Sequence, residues 1–235
     1  MENEIPLRER LVDIATDMLA TEGIAALGLR EIARRAGVSH GAPRRHFPTH
    51  RSLLSAVAGR GFDQLGDRLG GVVQADGDPR TQLCRIAHAY VGFAVERRAM
   101  FELMFRHDLL DGGDETDGRP RLREKTLPLF ASAVALVARH RQSAAPKSPG
   151  GPEAAKDAKA AEDAKAAEDA KAAEDAPAVV AAVLWANVHG IAQLWSWGTL
   201  SLALETPPPG DPHAEAGLAG LIARTVDAHL GPVNP

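Results

Sequence analysis

The sequence predicts an all-α protein, a small head of short helices followed by a larger helical bundle. Three observations carry this expectation. Apolar residues recur at helical spacing along most of the chain. Aromatic residues make up only 4% while alanine is abundant, a balance that favours helix over sheet. No segment alternates apolar and polar residues with period two for long.

The elements follow in order. Leu7, Leu11, Ile14, Ala15, Met18 and Leu19 define a first helix, and Glu22-Gly23 offers its stop. In "LREIARRAG", Leu29, Ile32, Ala33 and Ala36 share one face, Arg30, Arg34 and Arg35 the other, and Gly37 ends the helix. A short third helix is expected next, with Ser39 as its N-cap and Pro43 in its first turns. Arg44, Arg45 and His46 project from it, and Phe47 anchors its end. "Pro48-Thr49-His50" caps a long helix whose Leu54, Val57, Ala58, Gly61, Phe62, Leu65 and Leu69 point inward. The head therefore spans residues 1–50, with a connecting helix to about 73, and the body spans 78–235.

Within the body, Thr81 to about Leu110 reads as two helices, and "DGGDETDGRP" as a loop. Leu127 to His140 is helical, with Pro128 either in the first turn or kinking it. Residues 143–175 are a low-complexity insertion that ends in three copies of "KAAEDA" (Lys159–Ala176). A six-residue period fits neither helix nor coiled coil, and the repeats hold no large apolar residue, so they cannot join a core. "AVVAAVLWANVHGIAQLWSWG" is apolar on nearly every side and is expected to be buried on two fronts. Leu218, Leu221, Ile222, Val226 and Leu230 mark a last amphipathic helix.

Composition narrows the function classes. A single cysteine, Cys84, excludes a disulfide framework and any multi-cysteine metal site. The N-terminus lacks the pattern of a signal peptide, and no run of about 18 apolar residues is evident, so the expected location is the cytoplasm, without a membrane partner. No pattern calls for a cofactor, a metal or a catalytic group. The net charge of −4 does not advertise a polyanion as partner, but its distribution does. Between Gly28 and Arg60, seven arginines face one acid, Glu31, a local +6 in an acidic chain.

That island contains Gly37-Val38-Ser39-His40-Gly41, which matches G-x-S-x-G, the elbow that presents a hydrolase serine. An elbow requires a strand before the serine, whereas the preceding segment is an amphipathic helix. A turn between two helices accounts for more residues: a glycine that ends one helix, a cap, a first-turn proline and a short basic helix. This is the layout of a helix-turn-helix unit. The competing readings are a serine hydrolase using Ser39, and a helical small-molecule-binding protein without specific DNA recognition.

"LREIARRAGVSHGAPRRHFPTHRSLLSAV" resembles the DNA-binding head of TetR-type transcriptional repressors, over roughly residues 5 to 65. "Leu184-Trp185-Ala186-Asn187-Val188-His189-Gly190" is similar to the Trp-x-x-x-His-Gly motif of one subgroup of their regulatory domains. The resemblance implies a homodimer with two recognition helices in successive major grooves of a near-palindromic operator, released by a small apolar or amphipathic effector. On this chain the implied DNA-contacting positions are Arg30, Ser39, His40, Gly41, Ala42, Arg44, Arg45, His46 and His50. Arg45 is the expected base reader, because guanidinium forks onto guanine. The chain departs from the pattern where Arg44 replaces an aromatic residue, His50 a lysine and Gly28 a Ser/Thr cap. Phe93, Phe101, Met104, Phe105 and Trp185 are the expected pocket wall, with His189 as polar handle. Trp195 and Leu221 are the expected dimer anchors, on the helices Pro177 to Gly198 and His213 to Leu230.

Overall fold

The computed structural model describes residues 5–73, 77–106, 108–110, 122–144, 176–211 and 213–231. Among the described residues there are ten α-helices and no strand. They are α1 (Leu7–Glu22), α2 (Leu29–Arg35), α3 (Ala42–His46), α4 (His50–Val73), α5 (Pro79–Glu96), α6 (Arg98–Met104), α7 (Leu122–Ala144), α8 (Pro177–Ser196), α9 (Thr199–Ala203) and α10 (Ala214–Leu230). The expected insertion lies, from residue 145 onward, outside the described residues.

The head is α1 to α3 folded against the start of α4. Leu11, Val12, Ala15, Met18 and Leu19 of α1 meet Ile32, Phe47, Leu53 and Leu54 in one apolar core. Phe47 is fully buried, with the Arg8 guanidinium 5.2 Å above its ring. Gly37 has φ +67°, so the backbone can reverse there without the cost a side chain would add. The Gly37 and Val38 amides donate back to the Arg34 and Ala33 carbonyls at 3.2 and 3.0 Å, closing α2. At the start of α4 the Ser52 amide donates to Thr49 Oγ1 (2.9 Å) and the Thr49 amide to Ser52 Oγ (3.2 Å), a reciprocal cap.

Ser39 is not the cap of α3. The helix begins at Ala42, its N-cap position is Gly41, and no side chain caps it. The Ala42 amide donates instead to the Ser39 carbonyl (3.0 Å), so a backbone turn over residues 39–42 precedes the helix. Pro43 does lie at the start of the helix, as expected, and is buried.

Helix α4 runs from the head into the body, and α6 packs against both α4 and α1. A Cβ at Gly61 would stand 2.7 Å from the sulfurs of Met100 and Met104, so the close seat of α6 on α4 requires glycine there. Helix α5 begins at Pro79, with the Asp78 carboxylate accepting from the Thr81 amide. Arg80 of α5 pairs with Asp227 and donates to the Gly231 carbonyl, fastening the end of α10.

Helix α7 starts five residues before the expected Leu127, which places Pro128 inside it. The exposed proline gives up one main-chain bond without ending the helix. Helix α8 also differs from expectation. Ala181, Leu184, Val188, Ala192 and Trp195 form a buried stripe against α5, α7 and α10. Val179, Val183 and Leu194 are 44%, 45% and 38% exposed, so only one of two apolar fronts is covered within the protomer. Helix α8 is long and apolar enough to cross a membrane, contrary to the expectation that no such run is present. Its buried stripe makes it a bundle helix.

Candidate functional site

Two sites emerge, one at each end of α4. In the head, Arg30, Ser39, His40, Gly41, Arg44, Arg45 and His50 are exposed, and Ala42 and His46 half-buried. Seven of the nine lie in the turn and α3, whereas Arg30 and His50 lie at the starts of α2 and α4. The seven arginines of the basic island divide into two groups. Arg34 and Arg35 are held by Glu31, and Arg35 also by Glu22 at 2.6 Å. Arg60 pairs with Glu9 and Asp13, and Arg51 donates to the Asp108 carbonyl (2.5 Å). Arg30, Arg44 and Arg45 form no ion pair among the described residues. They remain available to an outside anion. The acids that neutralise Arg35 and Arg60, namely Glu22, Glu9 and Asp13, precede the stretch from Gly28 to Arg60, so the local charge of that stretch overstates what is free.

The Glu31 carboxyl is held down at about 2 by hydrogen bonds from Arg34 and Arg35, so it stays ionised and keeps both guanidiniums occupied. His50 bonds through Nε2 to the Leu27 carbonyl at 2.6 Å, which orients its ring beside the start of α2. Ser39 lies in a turn between two helices and no strand leads into it, so the elbow geometry a hydrolase serine needs is not formed.

In the body, a cavity of about 370 Å³ opens among α4, α5, α7 and α8. Its wall includes Phe62, Leu65 and Leu69 of α4, Leu83, Ile86 and Tyr90 of α5, Leu129 and Phe130 of α7, and Leu184 and Val188 of α8. Leu127 and Trp185, 59% and 45% exposed, also line it and form its rim. Of the six residues expected to bind a ligand, Phe105 and Trp185 lie in the wall. His189 stands behind them, its ring 4.5 Å from that of Phe105. Phe93, Phe101 and Met104 do not line the cavity: each is buried in the core at 2% exposure or less. Helical spacing marks apolar faces but does not distinguish a filled core from a hollow one.

The sequence reading missed Tyr90. Its hydroxyl lies 2.8 Å from His189 Nδ1. Burial raises the Tyr90 phenol well above its ordinary range and lowers His189, so both are neutral at physiological pH.

Trp195 does not serve as an outward anchor. It is 2% exposed, and its ring edge would lie 3.7 Å from a Cβ at Gly217 of α10. The tryptophan is core between α8 and α10 of one protomer. Leu221 is half-buried against the same core.

An all-helical chain with an exposed basic helix-turn-helix head and a hollow bundle behind it has the build of a two-part regulator. Family comparison agrees: residues 83–221 match the model for tetracyclin repressor-like C-terminal domains, and residues 11–57 that for bacterial regulatory proteins of the tetR family. The chain belongs to the TetR family. It is 42% identical over 59 residues to the HTH-type transcriptional repressor Rv3405c of Mycobacterium tuberculosis, covering 25% of this chain and 29% of that relative. The chain thus aligns with less than a third of that curated relative's length. A solved structure of a Rhodococcus sp. RHA1 protein of unknown function superposes with TM-score 0.67 at 26% identity, covering 97% of this chain and 96% of the other. AibR, solved with isovaleryl coenzyme A and operator DNA, shares the fold: TM-score 0.58 at 13% identity, covering 97% of this chain and all of that one.

Proposed function

We propose that the protein is a dimeric, ligand-responsive transcriptional regulator of the cytoplasm, and that it acts as a repressor. The observation that carries this reading is the set of three exposed arginines without an ion pair among the described residues, Arg30 at the start of α2 and Arg44 and Arg45 on α3. Arg44 and Arg30 position the head on backbone phosphates, where charge-assisted contacts supply affinity without sequence information. Arg45 reads a base edge in the major groove. The small Gly41 and Ala42 let the backbone approach the bases.

One head is too small for specific binding, so two copies must act together on half-sites roughly 34–36 Å apart. The open front of α8 supports pairing. Val179, Val183 and Leu194 form an apolar stripe with Gly190, and α10 adds the exposed small residues Ala216, Gly220 and Ala223. A Cβ at Gly190 or Gly220 would meet nothing within the protomer, leaving room for a partner helix. This is a self-complementary four-helix surface of the kind homodimers use.

The cavity is the effector site in this reading. Its volume falls in the range of roughly 300–1,000 Å³ usual for small-molecule pockets. Phe105 links it to the head: the residue lines the cavity and directly follows α6, which packs on α1 and α4. The names of Rv3405c, a repressor, and of AibR, bound to both ligand and operator, support the assignment. Genomic-fragment selection with purified protein at stated salt tests it. Recovery of one near-palindromic sequence is expected; salt-dependent binding without sequence enrichment would contradict it.

A further inference from the structure

The cavity also shows what it will not accept. Among the described residues, none of the 18 that line it carries a charge. Two cations on its helices are already engaged: Lys125 of α7 is bonded to Asp63 of α4 at 2.5 Å, and Arg68 of α4 to Glu96 of α5 at 2.7 Å. A carboxylate or phosphate entering this space would lose its water shell and meet no cation. An ammonium group would fare no better, because no free carboxylate lines the wall.

One point in the wall is polar and organised. Tyr90 and Trp185 line the cavity, and His189 stands behind them with Nδ1 2.8 Å from the Tyr90 hydroxyl and its ring packed on both. If His189 accepts at Nδ1, the tyrosine spends its proton on it and offers a lone pair to a ligand. If Nδ1 carries the proton, the tyrosine accepts from it and its own O–H is free to donate. Either tautomer leaves the oxygen of this cavity-lining tyrosine with an unused donor or acceptor, and a ligand hydroxyl can satisfy both. Thr126, near the rim, is the other hydroxyl in the lining.

We infer that the effector is an uncharged, largely apolar molecule bearing a single hydroxyl-type group that bonds Tyr90. The inference rests on the cavity being the effector site and specifies its ligand class. It separates this pocket from one built for acids, in which an arginine or lysine would face the ligand head group.

The test is calorimetric titration of the full chain with decanol, decanoate and decylammonium, each below its aggregation threshold. Decanol is expected to bind at least about tenfold more tightly than either ion, a difference of about 1.4 kcal/mol. Tyr90→Phe is expected to weaken decanol several-fold while leaving the two ions unchanged. Leu127→Arg, at an exposed rim position, is expected to shift the preference toward decanoate. Decanoate binding as tightly as decanol to the unaltered protein would overturn the inference yet leave the effector site in place. If none of the three binds and Ala133→Phe, which fills the cavity, leaves ligand-free operator affinity and thermal stability unchanged, the effector-site reading falls as well.

Discussion

The head and the body of this protein are built on opposite economies. In the head, the candidate DNA-facing residues come from one short stretch of chain, Arg30 to His50, over α2, α3 and the first residue of α4. In the body, the residues that line the cavity come from Phe62 to Val188, on helices that meet only after folding. The head presents charge outward and fixes it by pairing off the arginines it does not use. The body excludes charge and leaves space. The contrast explains why a short motif can announce DNA recognition while no motif announces the ligand.

The comparison can be broken most severely inside the body. Trp195→Ala removes a fully buried ring between α8 and α10 and is expected to cost about 3–5 kcal/mol of stability, visible as a large fall in Tm. Unchanged Tm would mean that the ring faces outward after all. Next comes Val183→Glu on the open front of α8, where the protomer's own core is not disturbed. A folded monomer is expected by sedimentation, with operator affinity reduced about a hundredfold because the heads no longer act as a pair. A dimer with normal affinity would place the interface elsewhere.

Smaller changes sharpen the contrast. Glu31→Gln releases Arg34 from the carboxylate that occupies it, while Arg35 keeps its pair with Glu22. Non-specific DNA affinity is expected to rise a few-fold and the salt dependence to steepen, as measured by fluorescence anisotropy at several salt concentrations. No change in slope would show that Arg34 points away from DNA even when free.

In the body, pH does the equivalent work. Burial lowers the pKa of His189 below its ordinary value near 6.5. As pH falls through about 6.5 the unfolded chain takes up the proton first, so stability is lost from there downward until the folded-state value is passed. Between about pH 7 and about pH 5, wild-type Tm is expected to fall more than that of His189→Gln. Parallel curves would show that His189 is hydrated rather than buried.

How much of this was legible follows from where each signal resides. Helix capping and the turn at Gly37 are local chemistry, so the limits of α1, α2 and α4 could be read from Gly23, Gly37 and Thr49. Ser39 misled because a serine before a helix is a good cap only if the helix starts there, and a backbone turn delayed it to Ala42. Phe93, Phe101 and Met104 were apolar at the right spacing for either wall or core, and only packing assigns them to the core. Trp195 looked like an interface residue because α8 is apolar all round. Its partner on the inside is Gly217, which no pattern in α8 reveals. Tyr90, the chain's only tyrosine, gave no sign of its role until α5 and α8 were brought together.

The central claim is that α3 reads sequence and that Arg45 carries part of the reading. It is tested most directly by titrating wild type and Arg45→Ala against an operator and its single-base-pair variants at fixed salt. The account predicts that Arg45→Ala loses about 1–3 kcal/mol on the intact operator and becomes indifferent to one base pair in each half-site. An equal loss across every variant, with the wild-type preference retained, would make Arg45 a phosphate contact and remove base reading from this position.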